Sequence, residues 1–307
     1  MSKRLRDLTL RQLRSLAALA TGGSITAAAG KIGLTQPAVT LQLRALQDSA
    51  GLPLMQRSGN GMLLTEAGEE LLSLYARIEA AVEACETSLD MMAGRSGGHV
   101  SIGAVSTAEY FVPFAIAAFS KRHPGIKVNL RIGNREEIRQ TLRGYDVDFV
   151  IMGRPPQDME IEHHLIGDHP HVVVAPRGHP LIGVSGLSIG DLARETLLTR
   201  EPGSGTRTLM EQLFEGADPP IRIGMELSSN ESIKQAVIAG LGIAFISAHT
   251  VAPELADGRL STLDVAGLPV IRQWLVVRRA DKILLPPAQA MLDFLRQEGA
   301  SFLPSLA

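Results

Sequence analysis

The residues best equipped for chemistry in this 307-residue chain are small polar groups and arginines that stand where apolar, strand-like runs give way to helical ones. Ser106 and Thr107, Asn134 and Arg135, the run Gly203-Ser204-Gly205-Thr206-Arg207, and Ser229-Asn230-Glu231 each mark such a junction, and Arg154 and Arg200 fall near the same ends. A helix N-terminus exposes free N–H groups and the positive end of its dipole, so it favours anions. Guanidiniums add paired donors suited to carboxylate or phosphate. In open α/β sheets the ligand crevice lies beyond the carboxyl ends of the strands. The pattern predicts a cleft for a carboxylate or a phosphate ester, and the same residues also read as ordinary helix caps.

Catalytic and metal signals are weaker. No G-x-S-x-G elbow, no P-loop and no G-x-G-x-x-G after a strand is present, so no enzymatic activity and no cofactor are expected. His163, His164, His169, His171 and His179 crowd one stretch, yet neighbours on a strand point to opposite faces and no i, i+4 histidine pair falls on a helix. No metal site is expected there. The single cysteine, Cys85, excludes an internal disulfide framework and a cysteine-based zinc site, which fits a reducing cytosol.

A second chemistry-bearing stretch is SITAAAGKIGLTQPAVTLQLRAL, residues 24–46. Ser24 caps one short helix and Gly33 ends it; Thr35 opens the next, with Pro37 in its first turn. Val39, Leu43, Leu46 and Ala50 recur at helical spacing and pack inward. The opposite face then carries Pro37, Thr40, Leu41 and Arg44, with Gln36 at its leading end. Such a pair of helices suits insertion into a DNA major groove, while an ordinary helical hairpin has the same spacing.

These groups need elements to hold them. Thr9 and Gln12 form a capping box for a first helix, and PLMQRSGNGMLLT reads as two extended runs around Gly59-Asn60-Gly61, a wing bearing Arg57. Residues 1–65 therefore read as a winged helix-turn-helix. From Thr65 no glycine occurs between Gly68 and Gly94, and Ala67, Leu71, Leu74, Ile78, Val82, Cys85, Leu89 and Met92 trace a coiled-coil seam over a linker helix at 66–94. Cys85 on that seam reads as a small buried hydrophobe. After the glycine-rich hinge GRSGGH, strands and helices alternate through 95–307, enough for two doubly wound α/β subdomains. IEHHLIG and HVVVAP read as separate strands, and STAEYFVPFAIAAFSKRHP as one helix.

Charge is segregated along the chain. Residues 1–65 hold eight basic groups against Asp7 and Asp48, a net +6, so the remainder carries −8 of the overall −2. A basic module on an acidic body is what attraction to a phosphate backbone requires. No apolar run is long enough to span a bilayer, and a cytoplasmic protein with no membrane partner is expected.

At this point LTLRQLRSLAALATGGSITAAAGKIGLTQPAVTLQLRALQDSAGLPLMQRSGNGMLLTEAG resembles the DNA-binding domain of LysR-type transcriptional regulators, with Gln36-Pro37-Ala38-Val39, Pro53-Leu54 and Leu64-Thr65-Glu66-Ala67-Gly68 as its signature. VSTAEYF, GNREE, VIMGRPP, REPGSGTR, SSNESIKQAVIAGLG and RQWLVVRR resemble the subgroup that regulates Calvin-cycle (cbb) operons. The resemblance implies double-stranded operator DNA, a homodimer or homotetramer, a periplasmic-binding-protein-like effector domain, and RNA polymerase as a candidate partner. It implies a small anionic effector, with a phosphorylated metabolite or NADPH as candidates; sulfite-type anions sensed by other members are the alternative. Subdomain I would comprise 98–168 plus 274–307, and subdomain II 171–271. Effector contacts would be Ser106, Thr107, Asn134, Arg135, Arg154, Thr206, Arg207 and Asn230; DNA contacts would be Gln36, Pro37, Thr40, Leu41, Arg44 and Arg57. A transport protein or an enzyme on the same α/β body is a remoter reading.

Overall fold

The computed structural model describes residues 5, 7–59, 61–94 and 97–305, so Lys3, Arg4, Arg6 and Asn60 lie outside the described residues. Two compact units divide between Glu86 and Thr87.

In the first unit Thr9 and Gln12 close the expected capping box on α1 (Leu10–Gly22), Ser24 caps α2 (Ile25–Ile32), and Thr35 caps α3 (Gln36–Ala50) with Pro37 in its first turn. Gly33 ends α2 at φ 66°, a conformation that side chains disfavour. β1 (Met55–Ser58) and β2 (Gly61–Leu64) pair antiparallel as the wing, and the Met62 N–H donates to the Gly23 carbonyl at 2.8 Å, tying the wing to the α1–α2 turn. Leu13, Leu16, Leu19, Val39, Leu43, Leu46 and Leu54 form the buried core, joined by Leu71 from α4 (Glu66–Met92). The start of α4 is held by a close approach. Thr65 Oγ1 donates to the Pro53 carbonyl at 2.7 Å, and a Cβ on Gly68 would stand 2.1 Å from the Leu54 carbonyl oxygen. Cys85 is exposed rather than buried on its helix: the inward residues of α4 are Ala67, Leu71, Leu74, Tyr75 and Ile78 near its beginning and Thr87 further along, about 200° around the helix from Cys85.

In the second unit the described residues form one nine-stranded sheet in the order β4 (Lys127–Gly133), β3 (His99–Val105), β5 (Phe149–Met152), β11 (Val270–Arg279), β6 (Ile161–Pro176), β9 (Ile243–Ser247), β7 (Thr196–Arg200), β8 (Arg222–Leu227), with β10 (Leu260–Thr262) paired to β6. β4, β3 and β5 run parallel at one end, and β9, β7 and β8 run parallel at the other. The two sets are joined by β6 and β11, which pair antiparallel from Val270↔His171 to Ile161↔Arg279. IEHHLIG and HVVVAP are therefore one 16-residue strand: the pairing with β11 continues through Asp168 and Pro170, where the sequence suggested a break.

Helices cover the sheet: α5 (Val112–Arg122), α6 (Arg135–Arg143), α7 (Ile189–Ala193), α8 (Gly205–Leu213), α9 (Asn230–Ile238), α10 (Ala248–Ala256) and α11 (Pro286–Glu298). The helix expected from Ser106 is shorter. A 3-10 turn at Ser106–Ala108 precedes α5, which starts at Val112 with Pro113 in its first turn. One core gathers residues such as Ile102, Phe111, Phe119, Phe149, Trp274 and Met291; separate buried clusters around Leu197, Met210 and Phe245, and around Ile233, Val237 and Ile246, serve the other end of the sheet. No helix among the described residues is long and apolar enough to cross a membrane.

Candidate ligand cavity and nucleic-acid interface

In the first unit Gln36, Pro37, Thr40, Leu41 and Arg44 line one shallow concavity together with Ile25. The cause is helical spacing: with Val39, Leu43 and Leu46 buried, the residues between them face out, and Leu41 is 71% exposed. Thr40 Oγ1 donates back to the Gln36 carbonyl at 2.9 Å. Arg44 is exposed and has no carboxylate partner among the described residues. Arg57 is exposed on β1 of the wing, outside that concavity.

In the second unit a cavity opens at the carboxyl ends of the parallel strands. The end of β3 supplies Ser106 and Thr107, the turn after β4 supplies Asn134 and Arg135, the turn after β5 supplies Gly153 and Arg154, and the end of β7 leads to Arg200, Ser204, Gly205 and Thr206. Its floor is made by the crossing strands, with His169 and His171 from β6 and Arg272 from β11. α6 and α8 both begin at this cavity. Asn134 Oδ1 accepts from the Glu137 N–H at 3.0 Å and Ser204 caps α8, while the Glu136 N–H donates to the Gly203 carbonyl at 3.2 Å across the rim.

Four guanidiniums line the cavity, in different electrostatic states. Arg200, 3% exposed, is compensated: its Nε and Nη2 donate to Glu201 at 2.8 and 2.9 Å, Nη2 also to Ser106 Oγ at 3.2 Å, and Nη1 to Asn230 Oδ1. Arg135, Arg154 and Arg272 have no ion-pair partner among the described residues. The buried Nε of Arg135 also lacks a hydrogen-bond partner. Burial, and then the Arg154 and Arg139 guanidiniums, push the Arg135 pKa below its ordinary value. Arg135, partly buried, and Arg154 repel one another, and an anion between them relieves that repulsion.

Ser106, Thr107, Asn134, Arg135, Arg154 and Thr206 thus stand together around one cavity. Two of the expected contacts stand elsewhere. Arg207 lies behind the lining, its Nε donating to Glu211 at 2.8 Å, its Nη1 to the Arg200 carbonyl at 3.1 Å and to Glu226. Asn230 is buried beneath Arg200 and holds that guanidinium. Sequence reading placed both at helix starts, but where each side chain turns is set by partners from other elements, Glu226 for Arg207 and Arg200 for Asn230. It missed Arg272, His169 and His171 as lining residues. Their signal was RQW and HPH at the two boundaries expected between the subdomains, a basic and imidazole-rich pairing that becomes visible only in register, His169 opposite Arg272. Among the described residues no group of histidines, cysteines or carboxylates could hold a metal ion.

Residues 10–69 match the family profile described as bacterial regulatory helix-turn-helix protein, lysR family, and residues 93–300 match that described as LysR substrate binding domain. The chain is 54% identical over 302 residues to the HTH-type transcriptional regulator CbbR of Xanthobacter flavus, covering 97% of this chain and 90% of that protein. It is 44% identical over 293 residues to the RuBisCO operon transcriptional regulator of Allochromatium vinosum, covering 95% and 97%. Among solved structures, the Synechocystis PCC6803 CcmR regulatory domain in complex with 2-PG superposes with a TM-score of 0.63 at 37% identity, covering 65% of this chain and 96% of that one. CbnR complexed with its target DNA shares the fold, with a TM-score of 0.62 at 21% identity over 94% of this chain and 99% of that one.

Proposed function

This chain belongs to the LysR family of transcriptional regulators, and we propose that it controls carbon-fixation genes by coupling operator binding to occupancy of the arginine-lined cavity by a small phosphorylated carboxylate. The observation that carries this reading is the convergence of Arg135, Arg154 and Arg272, none of them paired, on a cavity at which α6 and α8 begin. The number of unpaired cations favours a ligand of more than one negative charge, since each anionic group answers one or two guanidiniums. A relative of similar fold, the CcmR regulatory domain, is solved with 2-PG, and relatives of higher identity are named CbbR and RuBisCO operon transcriptional regulator.

In this reading Ser106, Thr107, Asn134, Arg135, Arg154 and Thr206 touch the ligand, and Arg207 and Asn230 position Arg200 behind it. Gln36, Pro37, Thr40, Leu41 and Arg44 enter the major groove, where Leu41 can meet a thymine methyl and Arg44 a phosphate or a guanine edge; Arg57 on the wing reaches the backbone. Val82, Leu89 and Met92, exposed at 42%, 56% and 84%, form an apolar face of α4 that pairs with a second copy, and paired readers meet paired half-sites.

The test joins a thermal-shift screen to a gel shift. The full chain is warmed with 2-phosphoglycolate, phosphoglycerates, sugar bisphosphates, NADPH, sulfite and sulfate, then incubated with duplex DNA from upstream of a cbb operon. A phosphorylated carboxylate should raise the melting temperature by mass action and change the mobility or bend of the complex. A response to sulfite or sulfate alone would replace the proposed ligand class, and no binding to duplex DNA in dilute salt would refute the reading.

A further inference from the structure

The cavity floor holds an imidazole with one nitrogen to spare. His169 and Arg272 are direct partners in the β6–β11 ladder and His171 follows two residues on, so all three share a face, while Asp168 takes the other. His169 is 4% exposed and its ring is fixed on several sides: it stacks on Trp274 with centroids 3.7 Å apart, tilts against His171 at 4.2 Å and lies parallel to His249 at 6.1 Å. Nε2 is engaged by Ser247 Oγ at 2.9 Å. Nδ1 has no partner, and it faces Gly153, where a Cβ would come within 3.1 Å of it. Both residues line the cavity. A buried ring nitrogen left unsatisfied is unfavourable, and the ligand's position is the natural place for its partner.

We propose that His169 is a ligand-contacting residue whose Nδ1 donates to an oxygen of the bound anion, and that the ring takes up one proton from solvent as the anion enters. The proposal rests on the reading of the cavity as an anion receptor. After uptake, Nδ1–H faces the ligand and Nε2–H donates to Ser247 Oγ; no covalent bond between heavy atoms changes.

The surroundings set the sign. Facing His169 are His171 on its own strand, Arg272 and Trp274 from β11, His249 from α10, Ser247 from the end of β9 and Gly153 after β5; among these described neighbours Arg272 carries charge and none is a carboxylate. Burial first, then His171 and His249, hold the His169 imidazole well below the usual histidine range, and burial pushes His171 down to about 4. These neighbours therefore keep His169 neutral, and a ligand oxyanion brings to it a negative charge that none of them supplies. Its pKa rises on binding, so affinity gains as pH falls through the window between the depressed free value and the raised bound value. For one proton the gain is at most about tenfold per pH unit.

The full chain is titrated calorimetrically with 2-phosphoglycolate at about pH 6.5 in two buffers of different ionisation enthalpy, which counts protons exchanged. His169→Gln keeps an amide donor but cannot take a proton. The free probe's phosphate titrates identically in both experiments, so the difference in proton count belongs to the coupled pair of histidine and bound phosphate. The wild-type chain should take up more protons than the variant, by up to one, and bind severalfold tighter at low pH with the two converging as pH rises. Equal proton counts and parallel pH profiles would overturn the proposal while leaving the receptor reading intact; failure of every anion to bind the wild type would overturn both. Should His169→Gln unfold, histidine nitrogen NMR of the wild type decides: an imidazole must pass from the neutral to the cationic signature on adding 2-phosphoglycolate, and its absence is equally decisive.

Discussion

Arg135 illustrates how a single side chain can be left uncompensated in a folded protein. Its Nε is buried without a partner, and Arg154 and Arg139 stand close enough to depress its pKa after burial has done so. Glu136, the nearest carboxylate in sequence, is occupied with Arg139 through two hydrogen bonds of 2.9 and 2.8 Å. Arg135→Ala should therefore weaken 2-phosphoglycolate binding about 10- to 100-fold, the worth of a hydrogen bond to a charged group, measured by calorimetry. The same substitution removes an uncompensated cation, so the ligand-free protein should melt no lower than the wild type. A marked drop in melting temperature would assign Arg135 a structural role instead. Arg200 is the contrasting case: its charge is already answered by Glu201 and its donors by Asn230 and Ser106, so it shapes the cavity wall whether or not a ligand is present.

Among the elements, α4 is fixed at its start by backbone proximity. Thr65 accepts the Gly68 N–H at 3.2 Å, its own N–H donates to the Leu54 carbonyl at 3.0 Å, and Gly68 passes so close to that carbonyl that any side chain collides with backbone. This gives Leu64-Thr65-Glu66-Ala67-Gly68 its physical reason: a cap, an acidic first turn and a residue without Cβ at the contact. Gly68→Ala should destabilise the first unit by about 1–3 kcal/mol, as overpacking does, and lower operator affinity in parallel, read by thermal melting and gel shift. Later in α4 the apolar residues face out. Leu89→Asp should leave the melting of the second unit largely unchanged and shift the chain toward monomer in sedimentation, because a charge on a paired seam has no partner there. An unchanged association state would show that α4 pairs through another face.

For the whole molecule the relevant fact is segregation of charge, net +6 over residues 1–65 and −8 over the rest. The first stretch attracts polyanions at long range, while in the second unit four arginines line the cavity of a body whose net charge is negative. The two binding events should therefore be separable. Arg44→Ala should lower operator affinity and reduce the slope of log affinity against log salt by about 1, while 2-phosphoglycolate affinity stays at the wild-type value. Equal impairment of DNA and ligand binding by Arg44→Ala would contradict that separation.

Much of this was legible in the residue order. Caps at Thr9, Ser24 and Thr35 and inward repeats such as Val39-Leu43-Leu46 are local rules, decided within a few residues, and they emerge where the sequence places them. The helix starts at Asn134 and Ser204 were legible for the same reason. What tertiary structure alone decided was anything needing the register of residues far apart. The withdrawal of Arg207 and Asn230 from the lining depends on partners that β7, α8, β8 and α9 bring together, and the fusion of IEHHLIG with HVVVAP into β6 and the placing of His169 opposite Arg272 depend on how β11 returns across β6. Local propensity carries no information about that return, because antiparallel pairing across about a hundred residues is chosen by packing of the whole sheet rather than by the segment itself.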